Sequence, residues 1–479
     1  MKFGSPARGP SCRDTPDPGA PVSPMKKVIT YGSFDLFHEG HRNLLKGAKA
    51  LGDYLIVGVT TEQYDETRGK LNIVDSLSER IENVRKSGFA DEIIVEDHVG
   101  QKVEDIQKYG IDVFTVGSDW EGRFDYLKDF CQVVYLPRTQ NISSSILRSS
   151  GHPLVRLGII GTGRIANRFM SEVHFVSGVA VTAVYNPHTA SAESFAKKWQ
   201  ISSSGDDLDL FLKDVDAVYI ASPHGTHVGY AQQALECRKH VLCEKPLAFS
   251  KADAEKLYGL AKKNGVILLE AMKTAYCPGF NQLLGVARSG VIGAVRDVEA
   301  AFTRLLPDGG REKADEIWGG SFTEYGTYSI LPIIKLLGKD FQDVQFSSIL
   351  ADNGIDLYTK ASFRYEKGMA LAKTGVGVKT EGQLVIAGTG GYILAPSPWW
   401  LTKEFEVRYE DSSKIEKYAT KFLGSGLRYE LSDFIYLING YEGRDYKLSA
   451  GESIAMASVM ERFMAGRKKY TERYGRTDQ

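Results

Sequence analysis

Neither sign of charge dominates this chain: 59 lysines and arginines stand against 60 aspartates and glutamates in 479 residues, a formal net charge of −1. That balance excludes the broad basic field expected of a nucleic-acid or anionic-membrane binder. No apolar run approaches the roughly 20 residues needed to span a bilayer, so no membrane association is expected. Cysteine is scarce. The five (Cys12, Cys131, Cys237, Cys243, Cys277) are scattered and odd in number, which excludes a disulfide framework and points to a reducing, cytoplasmic setting. Proline is also sparse, yet six of the sixteen fall within the first 24 residues. That stretch, MKFGSPARGPSCRDTPDPGAPVSP, lacks the apolar core of a secretory signal. It buries too little to offset its ordering entropy, so residues 1–24 are expected to form a disordered leader.

What is present is ordinary globular composition, 43% hydrophobic and 25% charged, arranged in three textures. From residue 25 to about 150, short apolar runs (VIT, YLIVGVT, EIIV, DVFTVG, QVVYL) alternate with helical patterns, one of them opening on a Ser76/Glu79 capping box. A second series follows from Val155: VRLGIIG, a GTGRIA turn, a helix over 167–176, VAVTAVY, DAVYIAS, HVLCEKP and a strand over 266–271. Both series predict α/β units with parallel sheets. From about Arg296 the runs DVEAAFTRL, DVQFSSILA, LYTKASFRY, GMALAKTGV, EGQLVIAGTGGYILA and FEVRYE carry turn signals between them, and helices at 427–439 and 449–466 close the chain. This predicts an α+β domain with a large, mostly antiparallel sheet.

The first chemical constellation is YGSFDLFHEGHRNLL. A strand stops at Gly32 and a helix starts near His41, which presents unpaired backbone N–H groups able to bind phosphate. The helix dipole supplies only about 0.3–1 kcal/mol, so further donors must converge. His38 and His41 can provide them, and Gly32 and Gly40 let the backbone approach a triphosphate. A histidine at a helix start is more often a plain cap; the flanking glycines and the strand context favour chemistry here. PRTQNISSSILR adds the planar donor fork of Arg138 and the hydroxyls of Ser143, Ser144 and Ser145. VGSDWEG, at another strand end, falls on the same sheet edge.

GSFDLFHEGH resembles the HxGH signature of the nucleotidyltransferase superfamily. Together with GSDWEGRFDYLKDFCQVVYLPRTQNISSS it is similar to the glycerol-3-phosphate cytidylyltransferases over residues 26–148. The resemblance implies CTP with Mg²⁺ bound through its phosphates, attack of a substrate phosphate on the α-phosphorus, and departure of pyrophosphate. It implies His38 and His41 as catalytic residues. It further implies a CTP site of Gly32, Ser33, Phe34, Asp35, Lys70, Asp119, Trp120, Arg138, Thr139, Ile142, Ser143 and Ser144. Where the family carries arginine in an RYVDEV stretch, this chain reads Gly88-Phe89-Ala90-Asp91-Glu92.

In the second constellation, RLGIIGTGRIA spaces Gly161, Gly163 and Ala166 as G-x-G-x-x-A between a strand and a helix. This is the pattern of a tight turn under a dinucleotide pyrophosphate. Glu244-Lys245-Pro246 stands at another strand end. With ASPHGTHVGYAQQAL, EAMKTAYCPGF, GGSFTEYGTYSI and PSPWW, it resembles the Gfo/Idh/MocA oxidoreductases over about 154–470. The resemblance implies Lys245 and Tyr328 as catalytic residues at a reacting carbonyl. It implies a cofactor site of Gly161, Thr162, Gly163, Arg164, Ile165, Asn186, Ser222, Pro223, His224, His227, Glu244, Lys245 and Pro246. The HxxH spacing of His224 and His227 suggests a metal, but no third ligand cluster accompanies it, and no protein-bound metal is expected. Asn186-Pro187-His188 stands where an acid would grip the ribose of NAD, which leans the expectation to NADP(H) over NAD(H).

The expected layout is therefore a cytidylyltransferase domain (25–150), an NAD(P)-binding Rossmann domain (154–275) and an α+β substrate and oligomerisation domain (276–479). The main functional expectation is a bifunctional enzyme of CDP-alditol synthesis. It would use a small polyol or ketose phosphate and form a dimer or tetramer. Two alternatives stay open: a transferase carrying a non-catalytic dinucleotide sensor, and an alditol dehydrogenase working in the oxidative direction.

Overall fold

The computed structural model describes residues 25–35, 37–61, 64–65, 75–137, 154–440 and 446–474, with Asp119 and the last seven described by backbone alone. The leader call (1–24) and the site calls on Lys70, Arg138, Thr139, Ile142, Ser143 and Ser144 lie outside the described residues.

Five short strands form the first sheet: β1 (Lys27–Gly32), β2 (Tyr54–Thr60), β3 (Glu92–Glu96), β4 (Val113–Gly117) and β5 (Gln132–Leu136). The order is β3-β2-β1-β4-β5 and every pair is parallel. Its central strands are near-continuous apolar runs because helices cover both faces; Val28, Ile29, Leu55, Val57 and Phe114 are fully buried. The chain leaves β1 toward β2 on one side and reaches β4 on the other. The crevice at the carboxyl ends of β1 and β4 is therefore the topological switch point, where open parallel sheets bind ligands.

The second sheet repeats this logic with β6 (Val155–Ile160), β7 (Val179–Tyr185), β8 (Ser203–Gly205), β9 (Ala217–Ile220), β10 (His240–Glu244) and β11 (Leu268–Ala271). The order β11-β10-β9-β6-β7-β8 places its switch point between β6 and β9. The helix after β6 runs Arg164–Val173, three residues ahead of the expected 167–176. It starts directly after its cap, Gly163, with Gly161 at φ +97° making the turn.

The third sheet holds β12 (Val295–Thr303), β13 (Asp343–Leu350), β14 (Asp356–Arg364), β15 (Met369–Gly375), β16 (Leu384–Gly388), β17 (Tyr392–Ala395), β18 (Glu404–Arg408) and β19 (Ile415–Ala419). Its order is β13-β14-β15-β12-β16-β17-β18-β19, and only the β12–β15 pair is parallel. The run read as one strand, EGQLVIAGTGGYILA, is the β16–β17 hairpin, turning where consecutive glycines interrupt the apolar pattern. A helix over Ser321–Leu337 packs on this sheet. Asp356 anchors its first turn, accepting from Phe322 N at 2.8 Å and Ser321 Oγ at 2.6 Å. The expected boundary at 275/276 separates two sheets but not two cores. One buried cluster runs from Leu157 and Phe169 through Tyr276 and Phe280 to Phe434 and Phe463.

Candidate functional site

At the first switch point the two histidines cap the helix Glu39–Lys49. His38 Nδ1 accepts from Gly40 N at 3.0 Å, and His41 Nδ1 accepts from His38 N at 3.4 Å. Their rings stack with centroids 3.9 Å apart. A neutral imidazole that accepts at Nδ1 carries its proton on Nε2. The cap therefore sets both rings as Nε2–H donors beside the amide-rich end of the helix, the arrangement a phosphate requires. Phe34, buried and at φ +53°, packs edge-on against His41 at 5.4 Å. A side chain on Gly32 would come within 3.1 Å of the Phe34 ring. Asp35 Oδ1 accepts from Asp75 N at 2.9 Å and so ties this turn to the start of the helix Leu77–Lys86.

One residue that sequence reasoning missed is Arg80. Fully buried on that helix, it donates to Ser33 O at 2.9 Å, Thr60 O at 2.7 Å and Asp75 O at 3.0 Å. It thus clamps the ends of β1 and β2 around the site. The available signal was its place between Leu77 and Val84 on the apolar face of an amphipathic helix, where arginine needs a reason. Arg42, one residue after His41, lies 5.5 Å over the Phe89 ring, which brings an arginine to the Gly88–Glu92 segment from another element. Across the crevice, the turn Ser118–Trp120 follows β4.

At the second switch point, a Cβ on Gly161 would sit 2.7 Å from Ala221 O, whereas one on Gly163 would meet nothing within 4 Å. Gly163 caps the next helix with no side-chain partner, leaving an open cradle of backbone N–H groups that fits a dinucleotide pyrophosphate. Asn186 follows β7 and donates to Thr162 Oγ1 at 2.9 Å. Ile165 packs against the core. Arg164, the first residue of that helix, pairs with Glu312 at 2.6 Å.

The structure brings Lys245 and Tyr328 together: Lys245 Nζ lies 5.4 Å from the Tyr328 ring centroid and donates to Glu324 O at 2.9 Å. Burial, reinforced by the Glu244 and Glu430 carboxyls, pushes the Tyr328 phenol well above its usual range and keeps its proton on. Tyr219 donates to Glu244 Oε1 at 2.6 Å, and burial raises the Glu244 carboxyl. Pro246 O accepts from His227 Nδ1 at 2.9 Å, while His227 Nε2 lies 3.0 Å from Ser222 O. His227 thus joins the β9 loop to the Lys245 turn from behind. His224 is buried beside it, 4.0 Å from Glu324 Oε1, and held neutral by burial and by Lys245. Ser222 Oγ accepts from Thr226 Oγ1 at 2.7 Å, and Pro223 precedes the short helical turn 224–226. Arg311, which sequence reasoning passed over, pairs with Glu324 at 2.5 Å.

Two family matches divide the chain. Residues 29–150 match the cytidylyltransferase-like family, and residues 155–272 match the oxidoreductase family with an NAD-binding Rossmann fold. The first segment is 49% identical over 127 residues to the glycerol-3-phosphate cytidylyltransferase of Bacillus subtilis, spanning 26% of this chain and 95% of that protein. The remainder is 30% identical over 318 residues to the scyllo-inositol 2-dehydrogenase (NADP(+)) IolU of the same organism, spanning 64% of this chain and 95% of the relative. Its fold is that of KijD10, a 3-ketoreductase from Actinomadura kijaniata solved with NADP and TDP-benzene. That comparison has a TM-score of 0.56 at 24% identity and covers 64% of this chain and 96% of that one.

Proposed function

The chain belongs to the glycerol-3-phosphate-type cytidylyltransferases in its first unit and to the Gfo/Idh/MocA oxidoreductases in its second, and on that premise we propose that it makes a CDP-alditol from a small ketose phosphate. One observation carries the reading: two strand-to-helix cradles occur in one chain, one flanked by Nε2–H donors and the other by a lysine–tyrosine pair.

In the transfer step, a phosphate oxygen of the alditol phosphate bonds to the α-phosphorus of CTP, and the bond from that phosphorus to the bridging oxygen breaks. His38 and His41 donate through Nε2 to the oxygens that gain charge, and Arg80 holds the Ser33 backbone against the triphosphate. Mg²⁺ accompanies the CTP phosphates. For the reduction, Gly161–Gly163 would hold a nicotinamide cofactor, which when bound would supply a hydride to a ketone carbon. Lys245 orients the carbonyl oxygen, and Tyr328 supplies its proton; positioned donation of this kind is worth roughly 10²–10⁴-fold. Retention of this pair favours catalysis over mere dinucleotide sensing, which would need neither residue.

We favour NADP(H) over NAD(H) because Asn186 leaves no carboxylate at the end of β7 to repel a 2′-phosphate. The preference is tempered by Asp206, Asp207 and Asp209, which line a cavity of about 640 Å³ beside Tyr185. The product suits a capsule or teichoic-acid-like polymer, made in the cytoplasm by a homo-oligomer. No helix among the described residues is long and apolar enough to cross a membrane.

The test is mass spectrometry of products from CTP, Mg²⁺, NADPH and a panel of three- to five-carbon ketose phosphates. The expected product is one CDP-alditol formed with equimolar NADPH oxidation and pyrophosphate. Oxidation that proceeds only from an alditol with NADP⁺, independent of CTP, would favour the dehydrogenase reading instead.

A further inference from the structure

The turn after β4 is not left to the transferase alone. The Trp120 ring meets two aromatic rings from the end of the helix Arg164–Val173, in the other unit: His174 edge-on at 5.1 Å and Phe175 edge-on at 5.8 Å. Arg123 sits between the units, its guanidinium 5.3 Å from the Trp120 centroid and 5.2 Å from that of Phe175. Phe175 is itself held by Arg428, whose guanidinium carbon lies 3.6 Å from the ring centroid. Arg428 is fixed in turn by Glu172, donating from Nε to Oε2 at 2.5 Å; the other oxygen of that carboxylate accepts from Ser425 N at 2.9 Å. The pair is buried, with side chains 4% and 6% exposed.

A buried ion pair is a costly way to add stability, but it fixes the height and tilt of the ring laid against it. The ring so fixed abuts the turn after β4, one of the turns of the first unit that lie at its switch point. Stand-alone cytidylyltransferases are covered over 95% of their length by a match of about 124 residues, so this support belongs to the fused chain.

We propose that Phe175, braced by Arg428 and bridged by Arg123, is a positioning residue for cytidylyl transfer: the oxidoreductase unit sets Trp120 and the Asp119–Trp120 turn against the CTP base. The proposal rests on the reading of Trp120 as a nucleotide-facing residue. It also makes the fusion a requirement for full CTP affinity rather than a tether.

The test compares the full-length wild type with Phe175→Ala, Phe175→Tyr and Arg123→Ala. CTP affinity is read by calorimetric titration, KM and kcat by pyrophosphate release, and NADPH oxidation serves as an internal measure of an intact second unit. Phe175→Ala is expected to weaken CTP binding and raise its KM at least fivefold, with kcat changed less than twofold. Phe175→Tyr, which keeps the ring, restores wild-type values. Arg123 is exposed and its loss does not threaten folding; Arg123→Ala is expected to raise the CTP KM two- to threefold. Unchanged CTP affinity in both alanine variants, beside a wild type that binds CTP, overturns this proposal and leaves the proposed function standing. A wild type that binds no CTP overturns the proposed function and this proposal with it.

Discussion

Glu270 should make the oxidoreductase unit lose stability as pH rises from acid to neutral. It lies on β11, 2% exposed, and its Oε1 accepts from Leu247 N at 3.0 Å, two residues beyond Lys245. Its Oε2 accepts from Ser453 Oγ on the C-terminal helix. Burial is the main reason its carboxyl is pushed up from 4.5 to about 7, aided by Glu244 and opposed by the Ser453 and Leu247 donors and by Lys245. The sign follows from proton counts. Between pH 4.5 and 7 the unfolded chain has released this proton and the folded chain still holds it, so stability falls with pH across that window and is flat above it. At about 1.4 kcal/mol per pH unit, the loss comes to roughly 3 kcal/mol. Glu270→Gln removes the titration yet preserves the geometry, since its carbonyl can accept from Leu247 N and its amide can donate to Ser453 Oγ. Urea titrations at fixed pH should find variant and wild type alike at pH 4.5. The variant should be more stable by roughly 3 kcal/mol at pH 7, with the difference constant to pH 8. Unfolding of the first unit is common to both and cancels. A difference that stays within about 0.5 kcal/mol from pH 4.5 to 8, below the expected magnitude, or one that is large but independent of pH, refutes the reasoning.

Further outcomes are expected for five variants. Arg80→Met strips donors from three backbone carbonyls and should destabilise the first unit by about 3–5 kcal/mol, read as a lowered melting transition in calorimetry with the second transition unmoved. Gly161→Ala places a Cβ 2.7 Å from Ala221 O at φ +97° and should weaken NADPH binding at least tenfold by fluorescence titration while leaving pyrophosphate release intact. Tyr328→Phe should slow ketone reduction by roughly 10²-fold or more without altering cytidylyl transfer, whereas His41→Ala should do the reverse. Asp206→Asn removes a carboxylate from the cavity beside Tyr185 and should raise the ratio of NADPH to NADH turnover, measured at 340 nm.

Local chemistry was legible in the amino-acid order. Glycine spacing marks a strand-to-helix turn within a dozen residues, so Gly32, Gly161 and the helices they precede could be placed without a structure. The Ser76/Glu79 capping box closes as expected, with Ser76 N donating to Glu79 Oε2 at 2.8 Å. The helix Ser321–Leu337 carried no such mark. It is buried on all sides, from Ser321 to Ile334, and a helix without a polar face shows no 3.6-residue alternation to read. Arg80 and Glu270 eluded the sequence for a different reason. Their partners lie on other strands and loops, and an arginine or glutamate in isolation reads as a surface residue. The partner of Arg164 shows the same limit: Glu312, which accepts from it at 2.6 Å, lies 148 positions away.

The contact through Trp120 bears on why the two units share a chain. A tether alone gives a millimolar effective concentration between modules, which helps two domains that bind each other but not a small sugar phosphate that diffuses freely between solvent and either site. Packing is different. When the ring of Phe175 is held by an ion pair that joins the helix Arg164–Val173 to the helix Leu427–Ile438, whatever orders those helices also orders the turn after β4. The glycines of the dinucleotide cradle lie immediately before the first of these helices, and Phe175 lies two residues past its end. On the proposed reading, cofactor and nucleotide would act on opposite ends of one short helix. By linkage, any tightening of CTP binding caused by NADPH must be matched by an equal tightening of NADPH binding caused by CTP. A chain that merely carried two enzymes end to end would show neither effect, and one titration of each nucleotide in the presence of the other separates the cases.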